Sequence, residues 1–307
     1  MGNHTKVIVF ILEGLTDDPQ FKVVLFIFLL LTYLLSITGN SIIIILTLVD
    51  PHLKTPMYFF LWNFSFLEIS FTTTCIPNFL VMMATGDKTI SYSRCAAQVF
   101  FIFLLGASEF YLLAAMSYDR YVAICKPLHY TIIMSSKICI QLVLSCWIAG
   151  FFTIFVPLLL GLQLDFCDSN IIQHFFCDIM PVVKLACVDT SQNEIVLFAI
   201  SILFIMSPCL LILSSYVRIL VTILRIPSAA GRHKAFSTCS SHILVVSLFY
   251  GTALFTYLQP KAAHTPASDK ATALMYTVVT PALNPVIYTL RNKEVKEIKV
   301  SRDSCTC

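Results

Sequence analysis

Asp119 and Arg120 stand side by side near the end of an apolar run, in the stretch MSYDRYVAIC at residues 116–125. A carboxylate and a guanidinium so placed can lock each other as an ion pair until a partner claims the arginine. A snorkelling arginine is the plainer reading. Two further carboxylates, Glu68 and Glu109, fall inside other apolar runs, where burial in ionised form costs several kcal/mol unless they are paired. They are expected to share a polar interior with Asn40, Ser65 and Asn284. A protonated packing network is favoured over a cation or proton site that differs between two states. The stretch HFFCD offers three ligand types in His174, Cys177 and Asp178, but a cysteine engaged in a disulfide has no thiolate to give. No metal or other cofactor is therefore expected. No histidine neighbours either intramembrane carboxylate, which leaves an enzyme without its base.

The elements that must hold these residues follow from composition. Of 307 residues, 58% are hydrophobic and 12% charged, and the mean hydropathy is +0.84. One soluble core cannot hide that much apolar surface, so a lipid bilayer is the expected solvent. The net charge of +3 and the scattered basic residues give no footprint for nucleic acid. Glu13, Asp17 and Asp18 interrupt the first twenty residues, so no cleavable leader is expected. Apolar runs long enough to cross a bilayer lie at roughly 23–49, 57–84, 95–125, 138–162, 193–223, 236–258 and 270–290. The expected fold is thus an all-α membrane protein, a bundle of seven spans. An amino-terminal segment 1–22 precedes it, and a cytoplasmic helix and tail, 291–307, follow.

Thirteen of the twenty Lys and Arg residues fall on one set of loops and helix ends, which makes that side cytoplasmic and the amino terminus extracellular. Asn3, in NHT, is then open to glycosylation, while Asn63, in NFS, sits inside a span. Apolar residues at helical spacing among the lysines of LRNKEVKEIKV suit a short amphipathic helix on the inner leaflet, with Cys305 and Cys307 as palmitoylation candidates. A helix from Cys95 to Arg120 is about 38 Å long, so the two residues mark opposite membrane surfaces. Of twelve cysteines, Cys95, Cys167, Cys177 and Cys187 face the oxidising side, and four allow three pairings. Joining Cys95 to Cys177 would staple the long loop 163–192 over the third span and leave Cys167 with Cys187. Internal repeats and half-helices lined with ionisable groups, the marks of a transporter, are not visible.

Six motifs in order, GN at 39–40, PMYFFL at 56–61, MSYDRYVAIC, SY at 215–216, KAFSTCSSH at 234–242 and PALNPVIYTLRN at 281–292, resemble the tetrapod-type (class II) odorant receptors among rhodopsin-like G-protein-coupled receptors. The resemblance implies a seven-helix bundle, an outer ligand pocket and a stimulatory olfactory-type G protein as partner, at the plasma membrane of sensory cilia. It implies that Cys95–Cys177 is the principal disulfide. It also implies activation or coupling roles for Asp119, Arg120, Tyr121, Tyr216, Lys234, Asn284, Pro285 and Tyr288. A chemosensory receptor outside olfaction is the alternative. The sixth span has no proline, so Gly251 is its one evident weak point. Its inner end carries His233 and Lys234 rather than an acid, so Asp119 is expected to be the main ionic partner of Arg120. The hydroxyls of Ser237, Thr238, Ser240 and Ser241 are then expected to help hold that helix, unless they bond their own backbone.

Aligning the spans by these motifs lines the pocket with Ile102, Phe103, Gly106, Ile200, Ser201, Phe204, Tyr250, Ala253, Leu254, Tyr257 and Thr277. Ile102 stands where amine receptors place an aspartate, so the expected guest is a small, neutral, mostly apolar odorant. About 12 heavy atoms at roughly 0.5 kcal/mol each give a dissociation constant of tens of micromolar. Tyr250, Tyr257 and Thr277 are singled out because their hydroxyls need partners.

Overall fold

The structure, a computed structural model, describes residues 9–162, 164, 166, 170–187, 189–258 and 265–291, without the side chains of 256–258, 266 and 289–291. Asn3, the tail after Arg291 with its expected amphipathic helix, Cys167, Cys305, Cys307 and the side chain of Tyr257 therefore lie outside the described residues. Six long helices are α1 (Pro19–Val49), α2 (Pro56–Thr85), α3 (Tyr92–Cys125), α4 (Ser136–Leu162), α5 (Ser191–Leu224) and α6 (Ala229–Leu258). Each is long and apolar enough to cross a membrane. The seventh rod, α7, runs through Pro266–Leu274, a wider turn Met275–Val279 and Thr280–Arg291.

Every rod starts before its apolar run, and at α1, α3, α6 and α7 a side-chain cap rather than hydropathy sets the first turn. The Asp18 carboxylate accepts from the Gln20 and Phe21 N–H groups at 2.8 and 3.3 Å, with Pro19 at the first helical position. Thr265 caps α7 through the Ser268 N–H at 3.2 Å, ahead of Pro266. The largest correction is α6, which begins at Ala229 rather than near 236, capped by Ser228 Oγ on the Gly231 N–H at 3.1 Å. Gly86 ends α2 at φ +77°, a left-handed stop that favours glycine.

In α7 the ring of Pro281 cannot sit against the carbonyl four residues back, and the helix widens so that the Thr280 N–H bonds Met275 O. Pro285 likewise leaves Pro281 O without its helical donor. Ser36 Oγ of α1 supplies one at 3.3 Å, and Asn40 Nδ2 donates back to Ser36 O at 3.1 Å. Polar atoms surrounded by lipid are satisfied inside the bundle in just this way.

Apolar side chains outside the core, such as Phe21, Val24, Leu31, Leu203 and Leu213, are exposed along α1 and α5, as lipid-facing positions should be. Small residues bring the inner helices together. A Cβ at Gly39 would lie 2.8 Å from the Pro285 ring of α7, and one at Gly150 of α4 would run into Ser108 Oγ and lie 2.8 Å from Leu104 O of α3. Over the outer end lies a three-stranded sheet of order β2-β1-β3, from β1 (Val9–Leu12), β2 (Thr89–Ser91) and β3 (Ile171–Ile172). β1 runs antiparallel to β2 and parallel to β3. Phe10 and Leu12 are buried beneath it, and Lys270–Glu13 at 2.6 Å and Lys88–Asp17 at 2.9 Å pin its edges.

The Gly150 contact yields a test. A methyl there meets backbone that cannot step aside, so Gly150→Ala should lower the stability of the detergent-solubilised chain by about 1–3 kcal/mol in thermal unfolding. Gly161→Ala, at a glycine with open space around it, should change it little.

Candidate functional site

At the outer end the long loop dives inward at residues 174–177, all four of which are buried. Cys177 is bonded to Cys95 of α3, with Cα atoms 5.4 Å apart. Cys187 is also disulfide-bonded. The main-chain N–H of Cys177 donates to Gln98 Oε1 at 2.9 Å, and Gln98 Nε2 donates to Thr74 O of α2 at 2.9 Å. One amide thus fixes loop, α2 and α3 together. Gln98 was not among the expected site residues; its signal was a polar side chain one turn after Cys95 in an otherwise apolar run.

His174 and Asp178, read from sequence as ligand types, serve the loop instead. Among the described residues no cluster suits a metal ion, and Cys177 has no thiolate to offer. His174 stacks on Phe175 at 4.8 Å and meets Phe176 edge-on at 4.4 Å, with Nδ1 buried and unpartnered. Burial first, and the charge of Lys270 second, push the imidazole down to about 4. Asp178 caps the short helix Ile179–Val183 at 2.7 Å, and burial pushes its carboxyl up to about 6.

The expected pocket residues are spread over α3, α5, α6 and α7. Ile102 and Tyr250 are buried, and Phe103, Gly106, Ile200, Ser201, Phe204, Ala253 and Leu254 are half-buried. Phe110 meets the Tyr250 ring edge-on at 5.0 Å, and Phe204 meets Tyr111 at 6.2 Å. The Tyr250 hydroxyl is buried with no hydrogen-bond partner. Thr277 corrects the expectation made for it: Oγ1 donates to Ala273 O of its own helix at 2.6 Å, which satisfies the donor. The described cavities lie elsewhere, one by Glu13, Phe79 and Met82 at the outer rim and one by Ile43, Leu61 and Tyr288 at the inner.

In mid-bundle, Asn284 Nδ2 donates to Glu68 Oε1, joining α7 to α2. Glu109 lies within electrostatic reach of Glu68. Glu68 Oε2, Glu109 Oε1, Ser65 Oγ and Asn284 Oδ1 are buried without partners. Asn40 stands apart from this group, on the α1–α7 link through Ser36.

The inner end departs furthest from expectation. Asp119 does not pair with Arg120, for no ion pair joins them within 4 Å; the Asp119 carboxylate instead accepts from Tyr130 Oη at 2.8 Å. Adjacent residues on a helix point some 100° apart, so each reaches a different neighbour. Tyr130 belongs to the short helix Tyr130–Ile133, and burial and Asp119 hold its phenol above the usual range. Arg120 is buried, and its charge acts on Tyr216 of α5, His242 of α6 and Tyr288 of α7.

His242, which sequence reasoning passed over, fastens α6. Its Nε2 lies 3.2 Å from Leu113 O, a carbonyl that can only accept, so Nε2 carries the proton. Nδ1, 2.6 Å from Tyr216 Oη, must then accept from that hydroxyl. The rings stack at 5.8 Å. A single imidazole ties α6 to the α3 backbone and to α5, the role expected of the α6 hydroxyls. Two of those bond their own helix instead: Thr238 to Lys234 O and Ser240 to Ser237 O, both at 3.0 Å. Tyr121 packs by Ile219, Ile223 and Cys239, with Lys126 and Arg218 5.9 and 5.8 Å from its ring centre. Tyr288 meets Phe64, Pro285 abuts Gly39, and Lys234 is exposed at the inner rim.

The comparisons with known proteins agree with this architecture. The fold matches squid rhodopsin at a TM-score of 0.72 and 19% identity, over 93% of this chain and 81% of that one. It is the seven-helix fold of rhodopsin-like G-protein-coupled receptors. The family described as Olfactory receptor matches residues 29–303. The human protein Olfactory receptor 6C74 is 61% identical over 97% of this chain and 96% of its own length. Human Olfactory receptor 6C6 is 58% identical over 97% and 95%. The chain belongs to the olfactory receptor family.

His174 gives the loop a pH dependence of known sign. Its folded value lies below the unfolded one, so the open loop binds the extra proton as pH falls. Relative to His174→Phe, the wild-type loop should lose up to about 3 kcal/mol of stability between pH 6.5 and 4, and no more below, read by hydrogen exchange over residues 170–178. Asp178 slopes the other way but is common to both proteins.

Proposed function

We propose that this receptor binds small, neutral, mostly apolar odorants between α3, α5, α6 and α7 and activates a stimulatory olfactory-type G protein, raising cyclic AMP. It does so as a multi-pass protein of the plasma membrane, with its amino terminus outside. The observation that carries the reading is the buried, unpaired guanidinium of Arg120 under a helix held by one imidazole. A ligand that draws the outer half of α6 inward, bending it near the exposed Gly251, strains the His242 contacts. Releasing them frees Tyr216 to meet Arg120 and opens an inner groove rimmed by Lys234. Such a ligand shifts the balance only by its differential affinity for the two states.

A pocket without a charged residue among its named members favours uncharged guests, and the unpartnered Tyr250 hydroxyl favours one oxygen function on the ligand. A cyclic-AMP screen of the expressed receptor against diverse volatiles tests the whole; failure to raise cyclic AMP with any volatile, despite surface expression, would sink it.

Three variants divide the steps. Arg120→Ala should abolish agonist-driven nucleotide exchange while leaving surface delivery measurable. His242→Phe keeps the ring stack and loses both hydrogen bonds, so agonist-free exchange should rise several-fold, with His242→Gln in between. Tyr250→Phe removes a hydroxyl that has no partner, so folding should not suffer. Potency toward oxygenated odorants should fall about tenfold, near 1.4 kcal/mol, and toward hydrocarbons hardly at all.

A further inference from the structure

Two free thiols share one packed cluster where α3, α5 and α6 converge at the inner end. Cys125 is the last residue of α3, and it is half-buried rather than sealed in. Its Sγ lies 3.1 Å from Thr222 Oγ1 of α5 and 3.7 Å from Arg218 O. Because Thr222 Oγ1 spends its proton on Arg218 O at 2.9 Å, the Cys125 thiol is the donor to that hydroxyl. Cys239 of α6 is 1% exposed and packs with Ile219 and Ile223 of α5, in the cluster that Cys125 borders. The two cysteines lie within electrostatic reach of each other. The other free cysteines described, Cys75, Cys139, Cys146 and Cys209, pack in the main core instead. Lys126 and Arg218 both stand by the ring of Tyr121, one turn back along α3 from Cys125. Partly exposed thiols in electropositive places are the ones that react.

We propose that Cys125 is an oxidation site for hydrogen peroxide, that Cys239 is its resolving thiol, and that the resulting disulfide holds the receptor closed. The Cys125 sulfur attacks one peroxide oxygen, the O–O bond breaks, and the hydroxide released leaves as water with the thiol proton. The Cys239 sulfur then displaces the hydroxyl of the sulfenic acid. An S–S bond forms, the S–O bond breaks, and a second water leaves with the Cys239 proton. Two electrons pass from two thiols to one peroxide. The division of labour follows exposure: Cys125 is open enough to meet the oxidant, and buried Cys239 waits behind it. A disulfide spans at most about 7 Å between Cα atoms. It can therefore close only while α6 lies against α3, and once closed it forbids the outward swing of α6. On a reducing cytoplasmic side such a bond is transient and sensing rather than structural.

The effect on coupling rests on the function proposed above; the disulfide itself does not. The full-length receptor in membranes is exposed to hydrogen peroxide, its remaining thiols are blocked with N-ethylmaleimide, and its unreduced peptides are mapped. A peptide pair joined through Cys125 and Cys239 should appear, and it should vanish in Cys125→Ser. In Cys239→Ser, Cys125 should stop at the sulfenic acid, read by dimedone labelling. Cys125 left unoxidised in the wild type, oxidised without a link to Cys239, or linked to Cys305 or Cys307 instead, overturns the pair. Agonist-free nucleotide exchange should fall at least fivefold on treating the wild type and hold steady on treating Cys125→Ser. Unchanged exchange with the link formed overturns the lock. Absence of exchange before and after treatment, with the link intact, refutes the receptor reading rather than the disulfide.

Discussion

A polar atom inside a lipid-surrounded bundle has no water to fall back on, so each must find a partner within the protein or stay unsatisfied at a cost of a few kcal/mol. That constraint sorts the interior of this chain. Two interhelical anchors show the satisfied case. Ser36 bonds the carbonyl that Pro285 leaves free, and Gln98 spends both ends of its amide on the loop and α2. Where a receptor must move, atoms are left over. The Tyr250 hydroxyl, the Tyr288 hydroxyl and four atoms of the Glu68–Glu109–Asn284 group find no partner.

The two ends of the molecule are accordingly built to different standards. The outer end has a disulfide, a three-stranded sheet and two ion pairs, and it fixes the loop over α3. The inner end has no covalent fastening among the described residues. Its α6 is held by packing and by one imidazole, and its Arg120 is buried with no ion pair to a described carboxylate. A stiff outer frame lets a small displacement at the pocket appear at the inner end rather than dissipate in the loop.

Length and hydropathy were enough to read the helical bundle and the order of its rods, because those properties are sums over many residues. The Cys95–Cys177 bond is present, but topology alone left three pairings of four cysteines, and the resemblance chose among them. What escaped were features that depend on one side chain's direction. Asp119 and Arg120 are neighbours in sequence, yet the helix turns them apart, and nothing in MSYDRY says that Tyr130 will reach the aspartate. His242 looked like the last letter of a motif because its two partners, Leu113 and Tyr216, lie on other helices. The start of α6 was misjudged because a polar first turn is invisible to hydropathy, although Ser228 and Gly231 carried the cap signal.

On the proposed function, the energies would make a weakly bound odorant a sufficient trigger. Each hydrogen bond of His242 contributes about 1 kcal/mol net, so the α6 fastening is worth only a few kcal/mol with its packing. A ligand bound at tens of micromolar brings about 6 kcal/mol. If even half of that is differential between the closed and open states, the population shifts by more than a hundredfold. A covalent or ion-paired lock on α6 would demand far tighter ligands, which a pocket of aliphatic and phenolic side chains cannot supply. On that proposal, an uncharged histidine bridge at the inner end and an uncharged pocket at the outer end would be matched in energy.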